Sequence, residues 1–406
     1  QSAVSLCTCR CTIITTKNVE IASKKKEAYF TATQGQLVRT RFFKNKSAKI
    51  AGSVLIFLIF LGLFSDFLSP YNPTIAGRDK QYENGPPQIP KFWDENGFSF
   101  RPFLYTQKKY RGADTNFRWV YKIDREERRY VQFFVKGWEY RVFDFSINLP
   151  GETFDFKVPG FKMDRHLFGI DKGGIHIFGT DKAGKDIFGR TLAAIYISLA
   201  VGTLGVFISF ILSLIIGGIS GYYGGWIDGI LQMFTDAIRT VPPIPLFMCL
   251  AAFAPLEWSS ELRFFFISCL LGLINWPTLA RRVRTHLLAE RSQEYVLAAQ
   301  LCGASSSHII GRHLLPSFTS YIIVDLVISF PYMLLAETAL SFIGLGLREP
   351  VNSLGVLLQN ATAADVLLNY QWYFIPVIFL VVLILSFVFV GDGLRDAADP
   401  HKITNK

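Results

Sequence analysis

The architecture of this chain is decided by a polar segment, Glu294-Tyr-Val-Leu-Ala-Ala-Gln-Leu-Cys-Gly303-Ala-Ser305-Ser-Ser-His-Ile-Ile-Gly-Arg-His-Leu-Leu-Pro316, which lies between hydrophobic segments long enough to cross a bilayer. Its pattern predicts two short helices joined by a turn. We expect Gly303 to adopt a positive φ and to end the first helix. We expect Ser305 to cap the second helix and Pro316 to end it before the next apolar run. The sequence therefore predicts a polar hairpin that projects from a membrane-embedded bundle.

The first helix of this hairpin carries small residues, Ala298 and Ala299, which allow another protein surface to approach closely. The alternative is an ordinary connector between two membrane helices. Connections between packed elements are usually short, and the segment 281–316 is longer than a connector needs and has its own helical pattern. We therefore interpret 281–316 as a loop that docks a partner protein.

The composition indicates a membrane protein. Half of the 406 residues are hydrophobic, the mean hydropathy is +0.29, and 18% are charged, whereas a soluble chain carries about a quarter charged residues. Only helices satisfy their own backbone groups in hydrocarbon, so we predict an all-α bundle of about six spans, each near the ~20 residues that cross a bilayer. The apolar runs behind this prediction are 50–68, 195–219, 231–253, 264–279, 322–343 and 374–390.

These runs divide the chain. We predict a cytoplasmic N-terminal segment at 1–49, a first transmembrane helix at 50–68 and an extracytoplasmic lobe at 69–190. A transmembrane core follows at 191–392, including the coupling loop 281–316, and a cytoplasmic tail at 393–406 ends the chain. The first span begins too far from the N-terminus to resemble a cleaved signal peptide, so we expect it to be retained.

Basic residues predict the orientation, because Lys and Arg accumulate near the cytoplasmic ends of spans. An even number of spans then places both termini in the cytoplasm. The net charge of +10 is explained by this topology and by contact with anionic lipid, and we expect no nucleic-acid partner. The basic residues that flank the first span and fill the loop are Lys24, Lys25, Lys26, Arg39, Arg41, Lys44, Lys46, Lys49, Arg281, Arg282, Arg284, Arg291 and Arg312.

The third apolar run is interrupted by prolines at 242, 243 and 245, so we predict a broken helix inside the bundle. Within it, Asp236 and Arg239 are three residues apart and are expected to share a helix face.

The lobe is rich in aromatic residues. Apolar–polar alternation at 117–123, 130–135 and 140–145 predicts strands, and Asp124–Glu127 and Lys136-Gly137 are expected to be turns between them. The lobe can bury a small core, and its aromatic residues either dock a partner or only pack against one another.

One segment nearly matches a phosphate-binding loop: Gly179-Thr-Asp-Lys-Ala-Gly184-Lys185-Asp186. That motif needs a hydroxyl after the lysine to bind magnesium, and here the position is an aspartate. The predicted topology also places the segment away from cytoplasmic nucleotide. We reject it as an ATP site and expect ATP and magnesium to be bound by a separate ATPase subunit, with no cofactor on this chain.

Nothing predicts catalysis or a metal site. The histidines are scattered, no nucleophile elbow occurs, and Cys7, Cys9 and Cys11 lack a fourth ligand at a suitable spacing. Two carboxylates in the fifth predicted span, Asp325 and Glu337, are candidates for a gate or a substrate pathway, because ionisable groups within a membrane usually face a bundle interior. The alternative for Glu337 is a packing role, with its carboxylate bonded to a neighbouring hydroxyl or arginine.

Several segments together carry a family resemblance. The hairpin resembles the EAA loop of ABC importer permeases. Four other segments resemble signatures of the peptide-transporting members of this family, and the first of them resembles the entry to the second span. The segments are Phe178-Gly-Thr-Asp-Lys-Ala-Gly-Lys-Asp-Ile-Phe-Gly-Arg190 with Ile197-Ser-Leu, Gly221-Tyr-Tyr-Gly-Gly-Trp-Ile-Asp228, Glu337-Thr-Ala-Leu-Ser-Phe-Ile-Gly-Leu-Gly346 and Gly391-Asp-Gly-Leu-Arg-Asp-Ala-Ala-Asp-Pro400. Over about residues 178–400, the chain resembles the C-type permease of oligopeptide and dipeptide importers, with Lys185 and Gly189 as departures from the usual pattern.

This resemblance implies a type I ABC importer permease bundle in a bacterial cytoplasmic (inner) membrane. It implies a second permease subunit, two ATP-binding subunits, an extracytoplasmic substrate-binding protein and a peptide substrate, with transport by alternating access. Nickel or oligosaccharides are alternative substrates, and a membrane-anchored receptor or enzyme acting through the lobe is an alternative function. The residues expected to couple the permease to the ATPase are Glu294, Ala298, Ala299, Gly303, Ala304 and Ser305.

Overall fold

The computed structural model describes residues 34–75, 82–94, 97–111, 119–142, 145–148, 155–158, 160–170, 174–255 and 258–398. The cysteines at positions 7, 9 and 11 and the basic residues at 24–26 lie outside these ranges, so the predictions made for them stay predictions.

The first helices are α1 (Gln34–Phe42), α2 (Lys46–Leu63) and α3 (Ser65–Leu68). Asn45 begins α2, because its Oδ1 accepts hydrogen bonds from the backbone N–H groups of Ser47 and Ala48, at 3.1 and 3.5 Å. The helix is interrupted at Phe64, which has φ −100° and ψ 21°. The first apolar run, predicted at 50–68, therefore forms one long helix that begins at Lys46 and one short turn after it.

The second and third runs form α4 (Ile187–Tyr223), α5 (Gly225–Thr240) and α6 (Pro243–Ala252). The predicted break is present, since Val241 is extended and Pro242 precedes the first residue of α6. Asp236 and Arg239 lie three residues apart in α5 and therefore share a helix face, as expected. Asp236 forms an ion pair with Arg281 on the next long helix.

The remaining helices of the bundle are α7 (Ser260–Glu290), α8 (Glu294–Leu301), α9 (Thr319–Phe342), α10 (Leu354–Ala361), α11 (Ala364–Asn369) and α12 (Ile375–Ala398). Short helical turns occur at Ser306–His308 and Leu315–Ser317, a π-helical segment at Ile309–Leu314, and a 3-10 turn at Gln371–Phe374. Within the described ranges, five helices are long and apolar enough to cross a membrane: Lys46–Leu63, Ile187–Tyr223, Leu262–Glu290, Thr319–Phe342 and Gln371–Ala398. The helical membrane bundle is confirmed, and the third run contributes the broken pair α5 and α6 rather than a continuous span.

The two longest helices, α4 and α7, pack closely because glycines face the partner backbone. A Cβ at Gly217 would lie 2.5 Å from the Ala280 carbonyl oxygen, and a Cβ at Gly221 would lie 2.8 Å from that of Arg284. Small residues at such positions allow membrane helices to approach one another. This contact gives the bundle a fixed central pair of helices.

The described residues of the lobe form seven strands. The first sheet has the order β1 (Lys91–Asp94), β2 (Gly97–Tyr110) and β3 (Val120–Tyr130), all antiparallel. A ribbon pairs β4 (Gln132–Val142) with β7 (Phe161–Gly169), and a smaller ribbon pairs β5 (Phe145–Asn148) with β6 (Asp155–Val158). The predicted strand-containing lobe is confirmed.

The two predicted turns in the lobe are wrong. Asp124–Glu127 lies inside β3, and Lys136-Gly137 lies inside β4. In both places the pairing register shifts, between Tyr105 and Thr106 on β2 and between Lys136 and Tyr140 on β4. Polar and glycine residues here produce bulges in continuous strands, a role that sequence cannot distinguish from a turn.

Candidate functional site

The polar hairpin forms at one end of the bundle, between α7 and α9. Helix α8 ends in a Schellman motif centred on Gly303, whose φ is +78°. The Gly303 N–H donates to the Gln300 carbonyl oxygen (2.9 Å), and the Ala304 N–H donates to that of Ala299 (3.1 Å). The prediction that Gly303 ends the first helix is confirmed.

The second half of the hairpin differs from the prediction. Ser305 is at the N-cap position of the next turn, but its hydroxyl contacts the Ser307 hydroxyl at 3.3 Å and makes no capping hydrogen bond. Pro316 lies inside the turn Leu315–Ser317, and the helical path breaks at Phe318 instead. The expectation that Ser305 caps the second helix is therefore wrong, whereas the helical path does end before the next apolar run, one residue after Pro316. Proline has no N–H to donate, and a π-helical segment precedes it, in which Leu315 N–H reaches back to the Ile310 carbonyl oxygen.

A small apolar core anchors the hairpin to α7. Val296, Ile309 and Leu314 are fully buried and pack with Val283 and Leu287 of α7. The hairpin therefore shares a packed apolar core with α7.

The outer surface of α8 is exposed and apolar. Leu301 is 90% exposed, and Leu297 and Tyr295 are 48% and 42% exposed. Glu294 and Ala298 are exposed beside them, whereas Ala299 and Ala304 are half-buried. Exposed clusters of this kind mark interaction sites in proteins. Sequence reasoning singled out the small residues and missed the leucines, although an apolar residue at 297 and another at 301 are one helical turn apart and signal a shared face.

Arg291, just before α8, donates from Nη1 to the Tyr222 carbonyl oxygen (3.3 Å). Gln300 also donates to the Tyr222 hydroxyl, at 3.4 Å. The hairpin is therefore joined to the end of α4 as well as to α7, and the Glu294 side chain remains on the outer surface.

A charged clamp lies directly beneath the hairpin. Asp228 on α5 accepts two hydrogen bonds from Arg284 on α7, at 2.5 Å each, and a third from the Ser220 hydroxyl at 2.5 Å. The hydrogen bonds from Arg284 lower the pKa of Asp228, against the effect of burial, and the Ser220 hydroxyl adds to the lowering. The clamp fixes α5 to the same helix that carries the hairpin.

The two candidate gate carboxylates lie apart from the exposed face of α8. Asp325, near the start of α9, forms an ion pair with Arg282 on α7. Glu337 is fully buried, and its carboxylate accepts hydrogen bonds from the hydroxyls of Ser341 (2.8 Å) and Ser198 (3.3 Å). The surroundings of Glu337 match the packing alternative, and its role in a pathway stays a prediction.

At the end of the bundle that carries the lobe, the segment 179–186, which nearly matches a phosphate-binding loop, has a structural role at the start of α4. Asp186 caps α4, because its Oδ2 accepts from the Gly189 N–H at 2.7 Å, and its Oδ1 lies 3.1 Å from His176 Nδ1. Asp186, the residue that departs from the phosphate-binding motif, is thus the N-cap of the second long helix.

Sequence reasoning missed a buried charge cluster beside this cap. Arg190 is 1% exposed, pairs with Asp181, and donates from Nη2 to Glu349 at 2.8 Å and from Nε to Asn352 at 2.7 Å. Lys185 also pairs with Glu349, at 3.4 Å. Because Glu349 and Asn352 follow α9, the cluster joins the beginning of α4 to the connection between α9 and α10.

Glu349 is the partly exposed member of this cluster. Burial alone would raise the pKa of its carboxyl, but the charges of Arg190 and Lys185 and the hydrogen bonds from Arg190 and Asn360 lower it to about 2. The cluster therefore holds an ionised carboxylate at neutral pH.

Comparison with protein families places these features in context. Residues 213–404 match the family described as binding-protein-dependent transport system inner membrane component. Residues 33–87 match the N-terminal TM domain of oligopeptide transport permease C. All seven described strands lie between the two matched ranges.

Individual relatives agree. The chain is 35% identical to the dipeptide transport system permease protein DppC of Lactococcus lactis over 269 residues, which are 63% of this chain and 74% of the relative. It is 37% identical to the oligopeptide transport system permease protein OppC of Haemophilus influenzae over 235 residues, 58% of this chain and 70% of the relative. A solved structure of the MetNI methionine ABC transporter in an inward-facing conformation aligns with a TM-score of 0.41 and 17% identity, over 52% of this chain and 96% of that one.

Proposed function

From the premise that this chain belongs to the oligopeptide and dipeptide permease family of binding-protein-dependent ABC importers, we propose that it moves peptides across a bacterial cytoplasmic membrane. In this proposal it forms a heterodimer with a second permease and alternates between outward-open and inward-open states. An extracytoplasmic binding protein delivers the peptide, and two partner ATPase subunits bind ATP and magnesium. The peptide substrate is supported by the names of the relatives, which are dipeptide and oligopeptide permeases.

The observation that carries the coupling part of the proposal is the exposed apolar face of α8. Leu301 is 90% exposed on a hairpin whose other side is buried against α7. A soluble ATPase that covers this face would bury Leu297 and Leu301 and gain free energy from their removal from water. The basic residues of the loop support a cytoplasmic location for this end.

The contacts beneath the hairpin support a mechanical route from the ATPase to the membrane. Closure of an ATPase pair would push the hairpin, and Val296 and Ile309 would pass the displacement to α7 through their packing. The Asp228–Arg284 clamp would move α5 together with α7. The broken pair α5 and α6 gives the bundle a place to bend, because the chain is extended at Val241. Two packed arrangements of such a bundle are all that alternating access requires.

The proposal is tested with Leu301→Asp in the assembled transporter. Loss of an apolar residue at the centre of an interface costs about tenfold or more in affinity, and a buried aspartate adds a desolvation penalty. We expect less ATPase to copurify with the variant and ATP-driven uptake of a labelled tripeptide to fall with it.

Leu368→Asp is the matched control, because Leu368 is also an exposed leucine, at 81%, and lies in α11, outside the hairpin. We expect this variant to retain its ATPase. Normal ATPase content and uptake in Leu301→Asp would contradict the docking role, and a chain that purifies without any ATPase would favour a receptor or enzyme that acts through the lobe.

A further inference from the structure

A cavity of about 530 Å³ lies between the lobe and the bundle. The β4 strand forms one wall with Tyr140 and Arg141, the end of α2 forms a second with Gly62 and Phe64, and α4 forms a third with Tyr196. This volume is within the range of sites that hold small molecules.

Contacts from the lobe hold the cavity in shape. His166 of β7 is 1% exposed, and its Nδ1 lies 2.9 Å from the Asp66 carbonyl oxygen of α3. The hydroxyl of Tyr140 donates to the Arg165 carbonyl oxygen at 2.9 Å, which fixes the ring over the cavity. On the opposite side, a Cβ at Gly62 would lie 3.2 Å from the Tyr196 backbone nitrogen, so α2 and α4 are in close contact there. The walls are therefore preformed.

The Asp66 side chain lines this cavity and forms no ion pair with Arg141, the basic residue of the same lining, which has an interaction of its own. Its carboxylate makes no hydrogen bond or ion pair to another residue within the described ranges, and it is half-buried. Burial raises the pKa of Asp66, while the nearby His166 lowers it. A carboxylate that has lost part of its hydration without gaining a partner is destabilised, and a cation placed beside it would remove that cost.

The rest of the lining favours an organic cation over a hydrated metal ion. The aromatic residues Phe64, Phe67, Tyr140 and Tyr196 line the same cavity as Asp66. Ring faces attract ammonium groups, and apolar walls accommodate the carbon atoms that such a group carries. The Asp66 side chain is the only acidic one that lines the cavity among the described residues, whereas a magnesium or calcium site needs several oxygen ligands.

We propose that this cavity binds a primary ammonium group, with Asp66 as its counter-charge and the aromatic rings as its walls. Two kinds of molecule carry a primary ammonium group of this sort: a peptide has it as its α-amino group, and an aminophospholipid has it in its headgroup. The peptide source rests on the proposed function, whereas the lipid source requires only that this end of the bundle meets a membrane surface.

The experiment uses the assembled transporter, without its binding protein, in nanodiscs of phosphatidylglycerol, which has no amine. Binding of trialanine and of N-acetyl-trialanine is measured by calorimetry for the wild type, for Asp66→Asn and for Asp164→Asn. Asp164 is the control because it lies on β7 of the same ribbon and is paired with Lys136 in an exposed position. We expect trialanine to bind, N-acetyl-trialanine to fail, and Asp66→Asn to weaken trialanine binding by about tenfold or more, because charge-assisted hydrogen bonds are the stronger class.

A second arm separates the two sources. Phosphatidylethanolamine is added to the nanodiscs, and the lipid retained after exchange into phosphatidylglycerol is quantified by mass spectrometry. The site is assigned to an aminophospholipid if the wild type retains phosphatidylethanolamine, Asp66→Asn does not, and the wild type does not bind trialanine. Ala193→Leu fills the cavity from α4 without changing any charge, and it should reduce binding of whichever molecule occupies the site.

The proposal is overturned if Asp66→Asn, shown to be folded by its elution profile and melting curve, binds trialanine and retains phosphatidylethanolamine as the wild type does. ATP-driven tripeptide uptake is measured on the same preparations. If the wild type takes up tripeptide normally and Asp66→Asn has no effect on binding, this inference is refuted and the proposed function stands. If the wild type shows no uptake, only the proposed function is refuted.

Discussion

Arg284 donates two hydrogen bonds to the two carboxylate oxygens of Asp228, from Nε and from Nη2, each at 2.5 Å. The pair is partly buried, with side chains 24% and 14% exposed, and it connects α7 to α5 below the hairpin. Two parallel hydrogen bonds to one carboxylate fix the relative orientation of these helices, which a single lysine contact would not do.

Asp228→Asn should therefore destabilise the protein by about 1.5–3 kcal/mol, as hydrogen bonds to charged groups do. Thermal unfolding followed by tryptophan fluorescence measures the change. The control is Asp236→Asn, because Asp236 pairs with Arg281 across the same two helices but with side chains 62% and 39% exposed. We expect that variant to lose less than about 1 kcal/mol. Equal losses in both variants would show that burial of the Asp228 pair has no energetic consequence.

Gly303→Ala should weaken transport, and Gly303→Pro should abolish it while the protein remains inserted in the membrane. At φ +78° a Cβ is strained, at a cost of about 1–2 kcal/mol. Proline also removes the N–H that donates to the Gln300 carbonyl oxygen. Uptake of a labelled tripeptide and membrane content by immunoblot measure the two effects.

Gly311→Ala is the control for Gly303→Ala, since Gly311 lies in the same loop, has open space around it and has no positive φ. It should transport normally. Wild-type uptake by Gly303→Pro would refute the coupling role of this turn.

Glu337→Gln should leave uptake and peptide preference unchanged, because an amide keeps the size of the group, its oxygen accepts from one of the Ser341 and Ser198 hydroxyls, and its NH2 donates to the other. Glu337→Ala should instead destabilise the bundle by about 1–3 kcal/mol, since it leaves buried hydroxyls unpaired and opens a void. Uptake assays and unfolding of the detergent-solubilised protein distinguish these outcomes. A changed peptide preference in Glu337→Gln would place this carboxylate in the substrate pathway.

The stability contributed by Glu349 should depend on pH in the acid range. Its pKa falls from 4.5 to about 2 in the folded protein, so folding favours the ionised form. The contribution is present above pH 4.5 and is lost as the pH falls through that window toward 2. The difference in melting temperature between wild type and Glu349→Gln should shrink as the pH falls from 5 to 3. Because Glu349 is 41% exposed, solvent screening keeps the effect small. A difference that stays constant over this range would contradict the lowered pKa.

The sequence was sufficient to predict the parts of the fold that depend on local pattern. The apolar runs predict the long helices, since a chain in hydrocarbon must satisfy its own hydrogen bonds. Gly303 could be assigned to a turn because a helix that ends with a left-handed residue uses glycine there. Neither prediction requires knowledge of which residues, far apart in the chain, come into contact in the fold.

The contacts that sequence could not predict join residues far apart in the chain. Arg190 and Glu349 are separated by 159 positions, and many other acidic residues were equally available as partners. For the same reason the ion pair between Asp236 and Arg281, which lie on two different helices, was not predicted. Exposure of Leu301 was missed because an apolar residue in a short helix is ordinarily buried, and only the packing of Val296 and Ile309 shows which side faces outward.

The π-helical segment Ile309–Leu314 holds one residue more per turn than an α-helix would. A deletion of one residue within it, such as Gly311, can be absorbed by a return to ordinary α-helical winding. The same deletion in the middle of α4 would rotate everything beyond it by about 100° and carry Gly217 and Gly221 away from α7. We therefore expect the hairpin to tolerate a change in chain length that α4, one of the long apolar helices, would not.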